Sequence, residues 1–169
     1  MRKFVVIILM IAVSSTSRGQ SAQQGVDSSE ILDEVIVRGY ENNRKLIEVA
    51  APITVINKLQ FNRFNNMSLL PAVNTAPGVR MEERSPGSYR LNIRGSSLRS
   101  PFGVRNVKVY YNNIPYTDPG GNTFFNQLGF YNIGSMEIIK GPGSSLYGAG
   151  TGGVILLSSD QGPFKKGIA

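Results

Sequence analysis

The chain has 169 residues, with 18 Lys and Arg against 11 Asp and Glu, no His and no Cys, and a formal net charge of +7. That length suits one domain with appendages, and 41% apolar residues is enough for a core. Without Cys there is no disulfide framework and no thiolate metal site. Without His the commonest general base and transition-metal ligand are gone, so nucleophilic triads, zinc hydrolases and most metal-dependent oxidoreductases are poor assignments.

Arg2 and Lys3 precede an apolar run of ten at residues 4–13 (FVVIILMIAV), followed by small and polar residues at 14–20. This is the layout of a secretory signal peptide, and the run is too short for the ~20 residues of a membrane-spanning helix. Ser17 and Gly19 suit the −3 and −1 positions, so residues 1–19 are expected to be removed. With no Cys in the chain there is no lipobox. Cleavage takes away Arg2, Lys3 and Arg18, leaving 15 basic against 11 acidic residues, a net +4. The remaining charges do not cluster. Arg80, Glu82, Glu83 and Arg84 interleave signs, and only Lys165-Lys166 forms a basic pair near an end. Together with export, this argues against a nucleic-acid partner.

Residues 20–29 are polar and read as a mobile tail. Residues 31–40 (ILDEVIVRGY) are β-branched and open to two readings, a strand or an extended peptide, before a charged connector at 41–45. Pro52 opens a strand at Ile53–Asn57, and Asn57 is placed to cap a short helix through Phe64. Asn66 or Ser68 caps a second helix with Leu69, Leu70 and Val73 on one face, which Ala76-Pro77-Gly78 ends. Residues 79–83 read as a strand and 84–88 (RSPGS) as a turn. Tyr89, Leu91 and Ile93 then alternate with polar residues as a half-buried strand.

Residues 96–105 form a polar loop. Val107–Tyr111 alternates as a strand, and Asn112-Asn113 supplies the positive φ of a tight hairpin turn. A Gly/Pro-rich loop at 115–123 leads to a short helix at 124–131. Strands follow at 135–140 and 153–158, separated by a glycine-dense stretch. There is no internal repeat. Strands with brief helices point to an α+β fold.

Residues 148–153 satisfy G-x-G-x-x-G, but a dinucleotide site needs a helix to start there, and Val154-Ile155-Leu156-Leu157 reads as a strand. No acid lies about twenty residues on, and Lys140 precedes its glycines rather than following them as a P-loop lysine does. The glycines are read as turn residues chosen for backbone conformation.

Residues 133–155 (IGSMEIIKGPGSSLYGAGTGGVI) resemble the plug-domain signature of TonB-dependent outer-membrane receptors. Three further blocks agree in order: 74–80 (NTAPGVR), 91–96 (LNIRGS) and 107–118 (VKVYYNNIPYTD). Residues 32–39 (LDEVIVRG) resemble the TonB box. Asn112-Asn113 departs from the Asp-Gly often found in the family, although both pairs form turns.

The resemblance implies a small mixed β-sheet with short helices, seated in a barrel of about 22 strands that this chain does not contain. It implies a signal peptide at 1–19 and a mobile segment at 20–48 carrying the TonB box at about 32–39. A plug at 49–160 and a connection at 161–169 to the barrel complete the division. A barrel would need at least ~220 further residues, and a stop after Ala169 would instead favour a free-standing secreted binding module.

It implies no enzyme activity and no cofactor or metal. The function is that of a gate for active uptake of a ferric siderophore, haem or cobalamin-like substrate, in the outer membrane with the N-terminus facing the periplasm. The short reach from cleavage site to box leaves no room for a further N-terminal domain, which argues for a chelate or cobalamin over a glycan. TonB would bind Asp33, Glu34, Val35, Ile36 and Val37 by main-chain pairing. Arg94 and Lys140 would latch the plug to acids on the barrel's inner wall. Substrate would meet the outward loops through Arg80, Arg84, Arg99 and Arg105, together with Tyr89, Tyr116, Phe124 and Phe125, where guanidinium groups and rings could hold an anionic chelate.

Overall fold

The computed structural model describes residues 35–39, 44–64, 67–96 and 103–160. The expected signal peptide, the tail, Asp33, Glu34, Arg99 and residues 161–169 lie outside these.

Two short strands come first, β1 (Ile36–Val37) and β2 (Arg44–Lys45), paired antiparallel. Strand β3 (Ile53–Asn57) runs directly into helix α1 (Lys58–Asn62). Asn57 caps that helix as expected: its side chain accepts the Gln60 N–H at 2.9 Å, and the Gln60 side chain accepts the Asn57 N–H at 2.9 Å. Helix α2 (Leu70–Val73) starts where Ser68 Oγ accepts the Leu70 N–H at 3.2 Å. Its Ala72 and Val73 are buried together with Leu69. The Asn74 side chain then bonds both the N–H and the C=O of Met81, at 2.8 and 3.1 Å, and so ties α2 to the next strand.

That strand, β4 (Val79–Ser85), pairs with β5 (Ser88–Ile93) as a hairpin. The turn expected over 84–88 is tighter than its sequence suggested, because the ladder continues to Ser85 and Ser88. Tyr89, Leu91 and Ile93 are buried, as their alternation requires. Strand β6 (Val107–Tyr111) turns through Asn112 and Asn113, at φ +49° and +67°, into β7 (Ile114–Pro115). The helix expected at 124–131 does not form. Two 3-10 turns, Phe125–Gln127 and Phe130–Asn132, stand in its place, separated by extended backbone at Leu128 and Gly129. Asn and Gly are weak helix formers, and the apolar side chains here are spent on anchoring a loop rather than on one helical face.

Strand β8 (Ile133–Lys140), a single helical turn α3 (Ser144–Tyr147) and β9 (Gly153–Ser159) complete the chain. The main sheet has the order β3-β8-β9-β6-β7, with β6 and β9 parallel and the other neighbours antiparallel. This is the small mixed sheet of the expected α+β class. One face carries Ile56, Ile133, Met136, Ile138, Ile155, Leu157, Val107 and Val109, packed beneath α1, α2 and the β4–β5 hairpin. The other face carries Ile139, Val154 and Leu156, with Tyr147, Ile53 and Tyr110 around them.

The glycine run lies between α3 and β9, so a strand, not a helix, begins at its end. Gly153 has φ +151°, and a Cβ there would stand 2.5 Å from the Ile139 carbonyl oxygen and 3.0 Å from Ile93 Cδ1. Its glycine is demanded by backbone geometry and close approach. Gly153→Ala is therefore expected to cost at least about 2 kcal/mol, read as a lowered urea midpoint with an unchanged slope.

Candidate functional site

Three surfaces carry the residues singled out from the sequence. The first is the N-terminal hairpin. Ile36 pairs with Lys45 and Val37 with Arg44, and the Val35 carbonyl accepts the Leu46 N–H at 3.1 Å. The two strand residues divide their surroundings. Val37 is fully buried, whereas Ile36 is 58% exposed and Val35 is exposed beside it. Val35, Leu46 and Ile47, with Lys45, line an open apolar groove of about 430 Å³. Directly after β1, the backbone N–H groups of Arg38 and Gly39 point at the carboxylate of Glu137 in β8.

The second surface is the end of β8 and β5. Arg94 follows the last residue of β5 in a left-handed turn at φ +52°, its N–H donating to the Gly78 carbonyl at 2.8 Å. It is exposed, and it is a turn residue, not the strand residue its alternation suggested. Lys140 closes β8 and is half-buried, with its N–H on the Pro52 carbonyl at 3.1 Å. Burial pushes the Lys140 ammonium below its ordinary range, and the nearby Arg94 charge pushes it further. The fold thus brings together two cations that lie 46 positions apart in the chain. Among the described residues neither forms an ion pair.

The third surface is the outer face of the β4–β5 hairpin with its neighbouring loops. Arg80 donates from Nε to Glu82 Oε1 at 2.7 Å, and this bond, with the Arg80 charge, holds the Glu82 carboxyl below its usual range. Arg84 is exposed. Glu82 faces Arg90 in register, and Arg80 faces Asn92. Arg80, Glu82, Arg90, Leu91 and Asn92 surround a concavity of about 80 Å³. Arg90 Nε is buried there without a hydrogen-bond partner among the described residues. Arg90 is a candidate that sequence reasoning passed over as a strand's solvent-side residue. The signal available was its alternation with Asn92, opposite Arg80 and Glu82.

Arg105 is exposed and reaches the Gly120 carbonyl at 3.5 Å. Tyr116 is half-buried, its hydroxyl donating to the Phe124 carbonyl at 3.3 Å and pushed up by burial. Phe124 is half-buried as well.

Two expected ligand contacts are corrected. Tyr89 and Phe125 lie in the core at 7% and 2% exposure, with Tyr89 set edge-on to Phe125 and to Phe130 at 6.4 and 6.2 Å. Their rings are consumed by packing, which is what buries the base of this loop. Among the described residues no group of three or more carboxylates gathers to hold a metal ion.

The five-stranded mixed sheet with its hairpin and short helices is the fold of a receptor plug domain. The TonB-dependent Receptor Plug Domain family matches residues 45–155, and the chain belongs to it. That is a family of receptors, not of enzymes. Over 135 residues the chain is 30% identical to the vitamin B12 transporter BtuB of Vibrio vulnificus, an alignment that takes in 76% of this chain and 21% of that protein. The chain therefore spans about a fifth of that curated relative.

Among solved structures, the ferric yersiniabactin uptake receptor FyuA of Yersinia pestis aligns with 66% of this chain and 17% of its own, at a TM-score of 0.51 and 19% identity. FpvAI, solved in complex with pyocin S2, aligns with 69% of this chain and 14% of its own, again at 0.51 and 19%. At that identity the two likenesses speak for the fold alone.

The Lys140 shift gives a test of the paired-cation geometry. A lysine whose folded pKa lies below its unfolded value opposes folding while protonated, and that penalty fades as pH rises through the lowered pKa toward 10.5. Arg94→Gln is expected to move the Lys140 titration part of the way back up, because burial, the larger cause, remains. NMR titration of the Lys140 side chain reads this, and an unmoved midpoint would contradict the proximity.

Proposed function

We propose that this chain is the gate of an energised outer-membrane uptake receptor. The observation that carries the reading is membership of the plug family over residues 45–155, preceded by a partly exposed extended segment at 35–37. In this reading residues 1–19 direct export and are removed. Residues 20–48 hold the TonB-binding segment toward the periplasm, residues 49–160 form the plug, and 161–169 lead toward a barrel in the outer membrane. The substrate is a metal chelate or a cobalamin-like molecule, a reading supported by the likeness to a vitamin B12 transporter.

TonB captures Asp33, Glu34, Val35, Ile36 and Val37 as an added strand. Main-chain bonds supply the affinity, and the outward side chains of Val35 and Ile36 supply the contact. Arg94 and Lys140 hold the plug to carboxylates of the barrel wall. Two neighbouring cations set in a lumen need counter-charges, and neither has one among the described residues. Arg80, Arg84, Arg90, Arg99 and Arg105, with Tyr116 and Phe124, form the substrate-facing set. No covalent step is required, in keeping with a chain that has no His and no Cys.

Ile36→Pro removes a backbone donor from the segment that must pair with TonB. The expected outcome is loss of energised uptake with substrate binding to cells retained, and uptake equal to the parent would sink the assignment. Double-mutant cycles between Arg94 or Lys140 and individual barrel-wall acids are expected to give coupling of about 1 kcal/mol or more in unfolding measurements. Additive effects throughout would refute the wall latch.

A further inference from the structure

Glu137 is the one charged side chain fully buried among the described residues, at 4% exposure. It stands at the middle of β8, in register with Val55 on one side and Leu156 on the other. Its carboxylate therefore projects from the second face of the sheet, the face that α1, α2 and the β4–β5 hairpin leave uncovered. An isolated carboxylate there would carry a heavy desolvation cost. Its partners among the described residues are backbone N–H groups. The Arg38 N–H donates to both oxygens, at 2.9 and 3.0 Å, and the Gly39 N–H donates to Oε2 at 2.9 Å.

Two consecutive backbone donors of the segment just after β1 thus converge on one buried acid. The fit is close on every side. A Cβ on Gly39 would stand 3.2 Å from Ile53 Cδ1, 3.3 Å from Ile139 Cδ1 and 3.5 Å from Glu137 Oε2. Arg38 also reaches Ser158 Oγ on β9 at 3.5 Å, and Val37 is fully buried one residue earlier.

We propose that Glu137 is a latch that fixes the N-terminal segment against the sheet, and that its release is the switch that frees residues 35–39 for an external partner strand. The second half of this rests on the reading of residues 33–37 as the TonB-binding segment. The chemistry makes two states rather than a continuum. With Arg38 and Gly39 in place, the carboxylate accepts three charge-assisted bonds at a buried position. With them withdrawn, the charge must be solvated from the same side, so partial withdrawal leaves it neither bonded nor hydrated. Because the donors are main-chain groups, side-chain replacement at Arg38 spares the latch, whereas Glu137→Ala removes every acceptor and Glu137→Gln keeps one oxygen, loses the charge and sets an amide N–H against a donor.

The test uses the full-length protein with Val37→Cys as reporter, a position that is buried when latched but makes no bond to Glu137. The 169 residues contain no other Cys. Glu137→Ala and the near-isosteric Glu137→Gln are each expected to raise the rate of thiol labelling at position 37 by about tenfold or more, the loss of bonds to a charged acceptor being the cause. Hydrogen exchange at 35–39 should quicken in parallel while β8 and β9 stay protected. Labelling and exchange unchanged in both variants would overturn the latch. Should Glu137→Ala lose protection across the sheet, Glu137→Gln decides: faster labelling with an intact sheet supports the latch, and unchanged labelling overturns it. Capture on immobilised TonB separates the two readings. A released segment that captures TonB no better than the parent leaves the latch standing and overturns the assignment of residues 33–37.

Discussion

A strand buried on both faces needs two covers, and β8 is such a strand. Met136 and Ile138 look into the main core, while Glu137 and Ile139 look the other way. The first cover is ordinary: two short helices and a hairpin bring Leu69, Val73, Met81 and Leu91 down onto the sheet. Among the described residues the second is thinner. It is made by the α3 turn, with Tyr147 set edge-on to Tyr110 at 5.4 Å, and by the residues around Val37 and Gly39. Among the described residues the two faces are thus unequally covered. The well-covered face keeps the sheet together, and the thinly covered face can open at small cost in buried apolar area.

Charge follows the same division. Alternation along β8 places Glu137 and Lys140 on opposite faces. The acid is satisfied from within by backbone donors. The base feels the charge of a second cation, Arg94, which sits in the left-handed turn after β5. A fold seldom sets like charges side by side without a counter-charge from elsewhere. Within one strand, then, the acid is met by a segment of its own chain, while the base has no ion-pair partner among the described residues.

Much of the fold was legible. The capping pair Asn57 and Gln60, the paired asparagines at 112 and 113 and the alternation of Tyr89, Leu91 and Ile93 are local signals, and the structure reads them as the sequence does. The site was legible only where a residue's role is fixed by its neighbours in sequence. Tyr89 admits two readings, a half-buried strand and an outward loop, and its alternation with Leu91 and Ile93 is the sounder signal. Phe125 looks like a loop aromatic because its loop is polar, and its edge-on contact with Tyr89 lies across 36 positions, which no local pattern records. Arg90 and Glu137 were missed for the converse reason. Each is one charge in an otherwise ordinary strand, and its meaning lies in what the fold lays beside it.

The order in which parts yield follows from the ladders. β1 and β2 share only two register pairs, and the segment after β1 is held by three bonds to Glu137. Behind them, β8 is paired along five positions with β3 and along seven with β9. Tension applied to the chain before residue 35 would meet the short ladder and, through Glu137, β8 first; with those bonds gone it would reach the sheet through the chain that leads from Gly39 to β3. Between those points lie residues 44–52, whose only regular elements are β2 and one 3-10 turn at Leu46–Glu48 with no buried side chain. The weak elements are therefore in series ahead of the strong one. Loss of the bonds to Glu137 would leave the ladders of β8 with β3 and β9 in place, and a force acting after that would work on β3, the edge strand bonded to β8.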